Sequence, residues 1–128
     1  MPRVVALVDD LLFLSRMREA ARPSGVEVLS ARDAADLIAA VREGARLVVV
    51  DADGTRLPWS DAVAALRAES RLPPVPVVAF FSHVDADRGA AARSAGCDRV
   101  VPRGAFVREL PGLLAEAARG PHPEEPAP

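Results

Sequence analysis

Residues 47–51 read Leu-Val-Val-Val-Asp, a run of four apolar residues that ends in a carboxylate. Because the apolar residues are continuous instead of alternating with polar ones, the run is typical of a strand covered on both faces of a parallel sheet. Four further short runs share this apolar character: Val4–Val8, Val26–Leu29, Val75–Phe81 and Arg99–Val101. The sequence therefore predicts five buried strands.

The segments between these runs have the period of amphipathic helices. The clearest stripe follows the i, i+3, i+4, i+7 spacing and consists of Ala34, Leu37, Ile38 and Val41. Strand and helix thus alternate five times along the chain. Right-handed crossovers place such helices on both faces of a sheet. We therefore expect an α/β fold with a doubly wound five-stranded parallel sheet in the order 2-1-3-4-5, which is flavodoxin-like.

Polar residues, glycine and proline mark where some of these helices begin and end. Ser60 and Asp85 are predicted N-caps of the third and fourth helices, and Gly96 is expected to end the fourth. Proline lacks the N–H that a helix interior needs. Pro111 therefore predicts that the regular part of the last helix begins near that residue.

The composition limits the classes of protein to consider. The chain has 128 residues, and we expect one domain over residues 1–119 and a disordered, proline-rich, acidic tail over residues 120–128. Its 16 basic residues, all arginine, against 18 acidic ones give a net charge of −2 and no electrostatic case for a nucleic-acid partner. No run reaches the roughly 18 apolar residues of a membrane span. The single cysteine excludes a disulfide framework and favours the cytoplasm.

Three acids follow strands that are neighbours in the expected order. Asp9 and Asp10 come after the first strand, and Asp51 ends the third. The carboxyl ends of parallel strands meet at one edge of the sheet, where such folds carry their sites. Carboxylate oxygens suit Mg²⁺, and a magnesium-bound aspartate is a reasonable nucleophile toward a phosphoryl group. The alternative is that Asp9 and Asp10 only cap the first helix while Asp51 solvates a strand end.

The chain also resembles a known family. The matching features are the pair Asp9-Asp10, the strand-ending Asp51, the segment PVVAFFSHVD over residues 76–85 and the segment GCDRVVPR over residues 96–103. In order and spacing they resemble the receiver domain of bacterial response regulators, and the resemblance covers about residues 3–119. It implies that Asp51 accepts a phosphoryl group from a histidine kinase. It also implies that Asp9, Asp10 and Asp51 bind Mg²⁺ together with the backbone carbonyl of Asp53.

Four positions depart from the family pattern. Arg103 stands where the family has a lysine, and Gly104 follows it where the family has a proline, so we expect a trans peptide there. Phe81 occupies the position of the switch hydroxyl, with Ser82 one residue late, and Val100 occupies the position of the switch aromatic. A one-residue shift turns a strand side chain to the opposite face. Ser82 is therefore a candidate hydroxyl only if the backbone re-aims it.

These departures predict an atypical receiver or pseudo-receiver. We expect a stand-alone, non-enzymatic protein of phosphorelay signal transduction that acts by protein–protein contact, with weak or no phosphorylation. By resemblance, partners or a second copy would bind the face of the fourth helix, fifth strand and fifth helix, roughly Ala86–Arg119. Trp59 is expected to cover the site, to contact a partner or to pack against the third helix.

One alternative comes from another class of protein. Residues 51–55 read Asp-Ala-Asp-Gly-Thr after an apolar strand, which is similar to the first motif of haloacid-dehalogenase-like phosphatases. By this resemblance Asp51 would be the nucleophile and Asp53 the general acid and base. Ser82 would serve as the family's second motif. The motif should lie on the first strand of such a fold, yet two strand–helix units precede it here.

Overall fold

Five parallel strands form the centre of the computed structural model, which describes residues 1–54, 56–83 and 85–120. The strands are β1 (Arg3–Leu7), β2 (Glu27–Ser30), β3 (Val48–Asp51), β4 (Val77–Phe81) and β5 (Arg99–Pro102). Their order in the sheet is β2-β1-β3-β4-β5. The predicted α/β fold class, the number of strands and the 2-1-3-4-5 order are therefore confirmed.

Five helices cover the two faces of this sheet. They are α1 (Leu11–Ala21), α2 (Ala34–Arg42), α3 (Trp59–Ala68), α4 (Ala86–Ala95) and α5 (Arg103–Arg119). Side chains of α1 and α5 pack on one face, and those of α2, α3 and α4 pack on the other. Along β3 the buried valines alternate between these two layers, with Val49 in the first and Val48 and Val50 in the second. Both faces of β3 are dry, which explains its unbroken apolar run.

The helix boundaries follow the capping residues in part. Asp85 is the N-cap of α4, since its carboxylate accepts a hydrogen bond from the Arg88 N–H, and Gly96 ends the helix with a φ of 119°. The prediction for α3 is wrong: the helix begins at Trp59, and Pro58 rather than Ser60 precedes its first turn. The Pro58 carbonyl accepts the first helical hydrogen bond, from Ala62. A proline needs no donor at such a position.

The prediction for the last helix is also wrong. It begins eight residues before Pro111 and passes through that proline without ending. Proline cannot donate to the carbonyl four residues earlier, that of Val107. Val107 is 49% exposed, so the turn that lacks this hydrogen bond lies at the surface of the protein. Phe106 and Leu110 anchor the segment before and beside the proline in the core, and this tertiary packing outweighs the lost hydrogen bond.

The sequence also predicts the geometry of the peptide bond at the start of the last helix and a C-terminal tail. The peptide bond between Arg103 and Gly104 is trans, as expected. Gly120 ends α5, while residues 121–128 of the predicted tail lie outside the described residues. None of the helices in the described ranges has the length and apolar character needed to cross a bilayer.

Candidate functional site

Asp51 is the buried carboxylate at the carboxyl edge of the sheet. It is the last residue of β3, it is 5% exposed, and it is the only charged residue within the described core. Its Oδ1 accepts a hydrogen bond of 3.0 Å from the backbone N–H of Asp53. Its Oδ2 lies 3.6 Å from Nη2 of Arg103, the first residue of α5. Both oxygens of the carboxylate therefore have partners.

The surroundings of Asp51 raise the pKa of its carboxyl above the ordinary value. Burial is the largest cause, because it penalises the charged form. The hydrogen bond from the Asp53 backbone and the positive charge of Arg103 oppose the rise, while the negative charges of Asp53 and Asp9 add to it. The Asp51 carboxylate is therefore mostly buried and lies near two other acids, Asp53 and Asp9. Carboxylates whose pKa is shifted in this way are frequent at functional sites.

The acidic pair after β1 is divided between two roles. Asp9 faces the loop that follows β3, since a Cβ placed on Gly54 would lie 3.1 Å from Oδ1 of Asp9. Asp10 is exposed and caps α1, where its Oδ1 accepts hydrogen bonds of 3.1 Å from the N–H groups of Leu12 and Phe13. The capping alternative therefore describes Asp10. Asp9 belongs with Asp51, because its charge contributes to the raised pKa of that carboxyl.

The oxygen ligands near Asp51 are of the kind that magnesium prefers, but within the described residues they do not converge into a complete metal site. Asp9 and Asp51 present carboxylate oxygens, and the missing side chain of Gly54 leaves space beside Asp9. Such hard oxygen donors are those that Mg²⁺ prefers, usually with several waters retained. Among residues 1–54, 56–83 and 85–120, however, no three acidic, histidine or cysteine side chains converge as a metal-binding group. The predicted Mg²⁺ site of Asp9, Asp10, Asp51 and the Asp53 carbonyl stays a prediction.

The guanidinium of Arg103 stacks over two aromatic rings. Its guanidinium carbon is 4.7 Å from the ring centre of Phe13 and 5.1 Å from that of Phe80. Phe80 in turn stacks on Phe106 at 4.7 Å. A planar guanidinium suits both this stacking and the contact with a carboxylate. No sequence pattern predicted this cluster, although three of the four phenylalanines of the chain lie in it.

Ser82 contacts Asp53 instead of Asp51. Its backbone N–H and its hydroxyl both donate to Oδ2 of Asp53, each at 2.6 Å. The other carboxylate oxygen of Asp53 lies 3.5 Å from Nη1 of Arg88, in the first turn of α4. From the sequence, the Asp53 side chain has a predicted role only in the phosphatase alternative, and Arg88 has none. The N-cap at Asp85 was the available signal, because it predicts that Arg88 lies in the first turn of that helix, near this edge.

Phe81 and Trp59 pack together on the α3 side of the site. The Phe81 side chain is buried in the layer of α2, α3 and α4, and the Trp59 ring meets it edge-on at 6.1 Å. Trp59 is the first residue of α3, so the expected packing against the third helix does not occur, and its ring packs on β4 instead. The two rings, with Asp53 and Arg88, line a small pocket of about 340 Å³.

Comparison with known proteins agrees with this geometry at the level of the fold. No protein-family model and no curated protein matches the sequence. Among solved structures, the chain is similar to a two-component response regulator from Clostridium difficile (TM-score 0.73, 11% identity, covering 94% of this chain and 98% of that one). It is also similar to a response regulator from Thermotoga maritima (0.69, 18%, 94% and 99%). A third is the phosphorylated cyanobacterial phytochrome response regulator RcpA (0.67, 15%, 90% and 89%). The chain therefore has the receiver-domain fold over nearly its whole length.

Proposed function

We propose that the chain is a receiver-type signalling protein that acts through protein–protein contacts, with weak phosphorylation of Asp51 or none. One observation carries the proposal: a buried aspartate ends β3 of a receiver-domain fold, with an arginine at one of its oxygens. A buried carboxylate at that edge has a cost in stability. A role as phosphoryl acceptor, present or lost, explains why the protein has a carboxylate there despite that cost.

Three features support weak phosphorylation. Both carboxylate oxygens of Asp51 have partners already, namely the Asp53 N–H and Arg103. Arg103 lies over the rings of Phe13 and Phe80, which fix its charge in place. The Ser82 hydroxyl donates to Asp53, away from the oxygens that an incoming phosphoryl group would use. A phosphoryl donor would have to displace one or more of these contacts.

A magnesium ion is compatible with this proposal. Asp9, Asp51 and the backbone carbonyl of Asp53 would hold it, and Asp10, whose Oδ1 caps α1, would be a further ligand through its other oxygen. The ion would supply positive charge for the oxygens of an incoming phosphoryl group. Arg103 supplies part of that charge from the chain itself.

The proposed partners are proteins. A histidine kinase would supply the phosphoryl group, and the face of α4, β5 and α5 would bind a target or a second copy of the chain. That face carries opposite charges side by side, as in the 2.7 Å contact between Arg99 and Glu109, which suits a polar protein interface. The net charge of −2 gives nucleic acid no attraction, and the expected compartment is the cytoplasm.

Intact-mass measurement after incubation with acetyl phosphate and Mg²⁺ tests the proposal. Acetyl phosphate would transfer its phosphoryl group to a carboxylate oxygen of Asp51 and leave as acetate. We expect a minor adduct or none in the wild type, and none in Asp51→Asn. Rapid, complete conversion would contradict weak phosphorylation, and an adduct that persists in Asp51→Asn would contradict the acceptor.

The same protein should be incubated with small phosphomonoesters. We expect no sustained release of phosphate, because the protein is proposed to be a binding module. Multiple turnovers that disappear in both Asp51→Asn and Asp53→Asn would overturn the proposal. That result would favour the haloacid-dehalogenase-like alternative.

A further inference from the structure

The pocket beside Trp59 lies outside the part of the molecule that the proposed function uses. It has a volume of about 340 Å³, and its walls are formed by the rings of Trp59 and Phe81. Its charged groups are the carboxylate of Asp53 and the guanidinium of Arg88, whereas Asp51 does not line it. Pockets that bind small molecules have volumes of about 300–1,000 Å³. This pocket is therefore large enough for a small ligand.

The apolar part of the pocket suits an aromatic ring. Trp59 is only partly buried in the layer of α2, α3 and α4, so some of its surface is still in contact with water. Covering such apolar surface with a ligand is favourable, and a second ring gains further from offset or edge-to-face contact with the indole. The remaining lining residues have no side chain beyond Cβ and leave room for that ring: Ala52, Gly54 and Ala91.

The charged part of the pocket holds one negative and one positive group side by side. Oδ1 of Asp53 lies 3.5 Å from Nη1 of Arg88, which is longer than a strong charge-assisted hydrogen bond. Oδ2 of Asp53 already accepts both donors of Ser82, so Oδ1 is the oxygen that is left for a cation. The Arg88 side chain is 53% exposed and has further N–H groups that this ion pair does not use. A ligand with a single charge would meet one group of its own sign.

We propose that this pocket binds a small aromatic zwitterion, of the chemical class of the free aromatic α-amino acids. The ammonium and carboxylate groups of an α-amino acid are attached to one carbon, so they are close together like the charges of Asp53 and Arg88. The carboxylate accepts from Arg88, the ammonium donates to Oδ1 of Asp53, and the ring lies against Trp59. The proposal goes beyond the proposed function, because it needs neither phosphorylation nor Mg²⁺.

The ion pair between Asp53 and Arg88 does not prevent this binding. Exposed ion pairs contribute little to stability, so the two groups exchange each other for a ligand at low cost. A bound zwitterion also leaves the net charge of the pocket unchanged. The ring beside Trp59 then shields the new hydrogen bonds from water, which strengthens them.

Fluorescence titration tests the proposal, because Trp59 is the single tryptophan of the chain and lies in the wall of the pocket. The probe is free phenylalanine, added to the unphosphorylated full chain without Mg²⁺. We expect a saturable change in Trp59 emission with a Kd of about 1 mM or lower. Hydrocinnamate lacks the ammonium group and phenethylamine lacks the carboxylate, so each should bind about tenfold more weakly. No saturable change with phenylalanine, or equal binding of all three compounds, would overturn the proposal.

Variants of the two charged residues assign the contacts. Arg88→Gln and Asp53→Asn should each weaken phenylalanine binding about tenfold. Arg88→Gln should bind phenethylamine at least as well as the wild type does, and Asp53→Asn should do the same for hydrocinnamate, since each has lost the group that repels the analogue. The matched controls are Arg93→Gln, in the last turn of α4, and Glu116→Gln, on the other face of the sheet, and both should keep the wild-type affinity. Wild-type affinity in Arg88→Gln and Asp53→Asn, or equal losses in the controls, would overturn the assignment of the pocket.

Discussion

Two arginines meet two aspartates at the carboxyl edge of the sheet, and the two pairs are built differently. On the α5 side, Arg103 and Asp51 have side chains that are 34% and 4% exposed, and the guanidinium lies on phenylalanine rings. On the α4 side, Arg88 and Asp53 are 53% and 25% exposed. The first pair is fixed by packing, whereas the second is an ion pair of 3.5 Å that solvent can replace.

This difference indicates that one pair stabilises the site while the other can rearrange. A charge held against aromatic rings and beside a buried carboxylate costs much to move, because both the packing and the counter-charge are lost together. A half-exposed ion pair contributes little to folding and exchanges partners at low cost. We therefore expect the α5 side to determine how stable the site is, and the α4 side to determine how it changes.

The largest effect should follow truncation of the ring beneath Arg103. Phe80 is fully buried and packs against Phe13 and Phe106, so Phe80→Ala should lower the free energy of unfolding by about 3–5 kcal/mol. Urea denaturation measures this change. Phe81→Ala is the matched control on the other face, where one aromatic partner, Trp59, meets the ring. A larger loss in the control would contradict the assignment of stability to the α5 side.

Removing the charge of Arg103 should have the next largest effect. Arg103→Met keeps an apolar chain over the rings but leaves the Asp51 carboxylate buried without its cation. Because Arg103 is about one third exposed, we expect a loss of roughly 2 kcal/mol at neutral pH, less than for a fully buried pair. Urea denaturation of Arg103→Met beside Arg103→Lys measures it, and the lysine variant should lose less. Equal losses would show that the charge at this position is unimportant.

A smaller effect, opposite in sign, is expected at Asp51 itself. Its folded-state pKa is raised, mainly by burial, so the ionised form opposes folding. Stability from this group is therefore highest at acidic pH and falls as pH rises from the unfolded value through the raised pKa. Asp51→Asn removes the penalty and should be more stable than the wild type at neutral pH. The advantage should shrink as the pH falls through that window.

Thermal or urea unfolding across that pH range measures the Asp51 effect. A variant that is less stable than the wild type at neutral pH would mean that attraction to Arg103 outweighs the cost of burial. In that case the pKa of Asp51 would not be raised. Gains in stability on neutralising a buried site residue are common where function retains a costly group.

The sequence predicts the α5 side of this contrast better than the α4 side. Continuous apolar runs fix which strands are buried on both faces, and an acid at the end of such a run, as at Asp51, lies at the edge by the geometry of parallel strands. The resemblance to receiver domains predicts Arg103 near it, since Arg103 stands at the position of the family's lysine. The buried strands and the place of Asp51 need only local patterns and the strand order.

Other features of the molecule, the α4 side among them, depend on contacts that no local pattern encodes. Whether Asp10 or Asp9 caps α1 is decided by one backbone turn, and the structure assigns the cap to Asp10. Ser82 meets Asp53 because β4 ends at Phe81 and the chain bends there, which frees Ser82 from the strand alternation. Pro111 shows the same limit in a helix, where buried neighbours override a local breaker.

The smallest effect on stability is expected at Arg88. Arg88→Gln removes the cation of a pair that is largely open to solvent, so the free energy of unfolding should change by no more than about 1 kcal/mol. Trp59 emission should nevertheless shift, because the side chain beside Phe81 has changed its partner. Arg93→Gln, in the last turn of α4, is the control for charge and should leave the emission unchanged. A loss as large as that of Arg103→Met, without a shift in emission, would mean that the two pairs do the same structural work, and the division between a fixed side and a responsive side would be wrong.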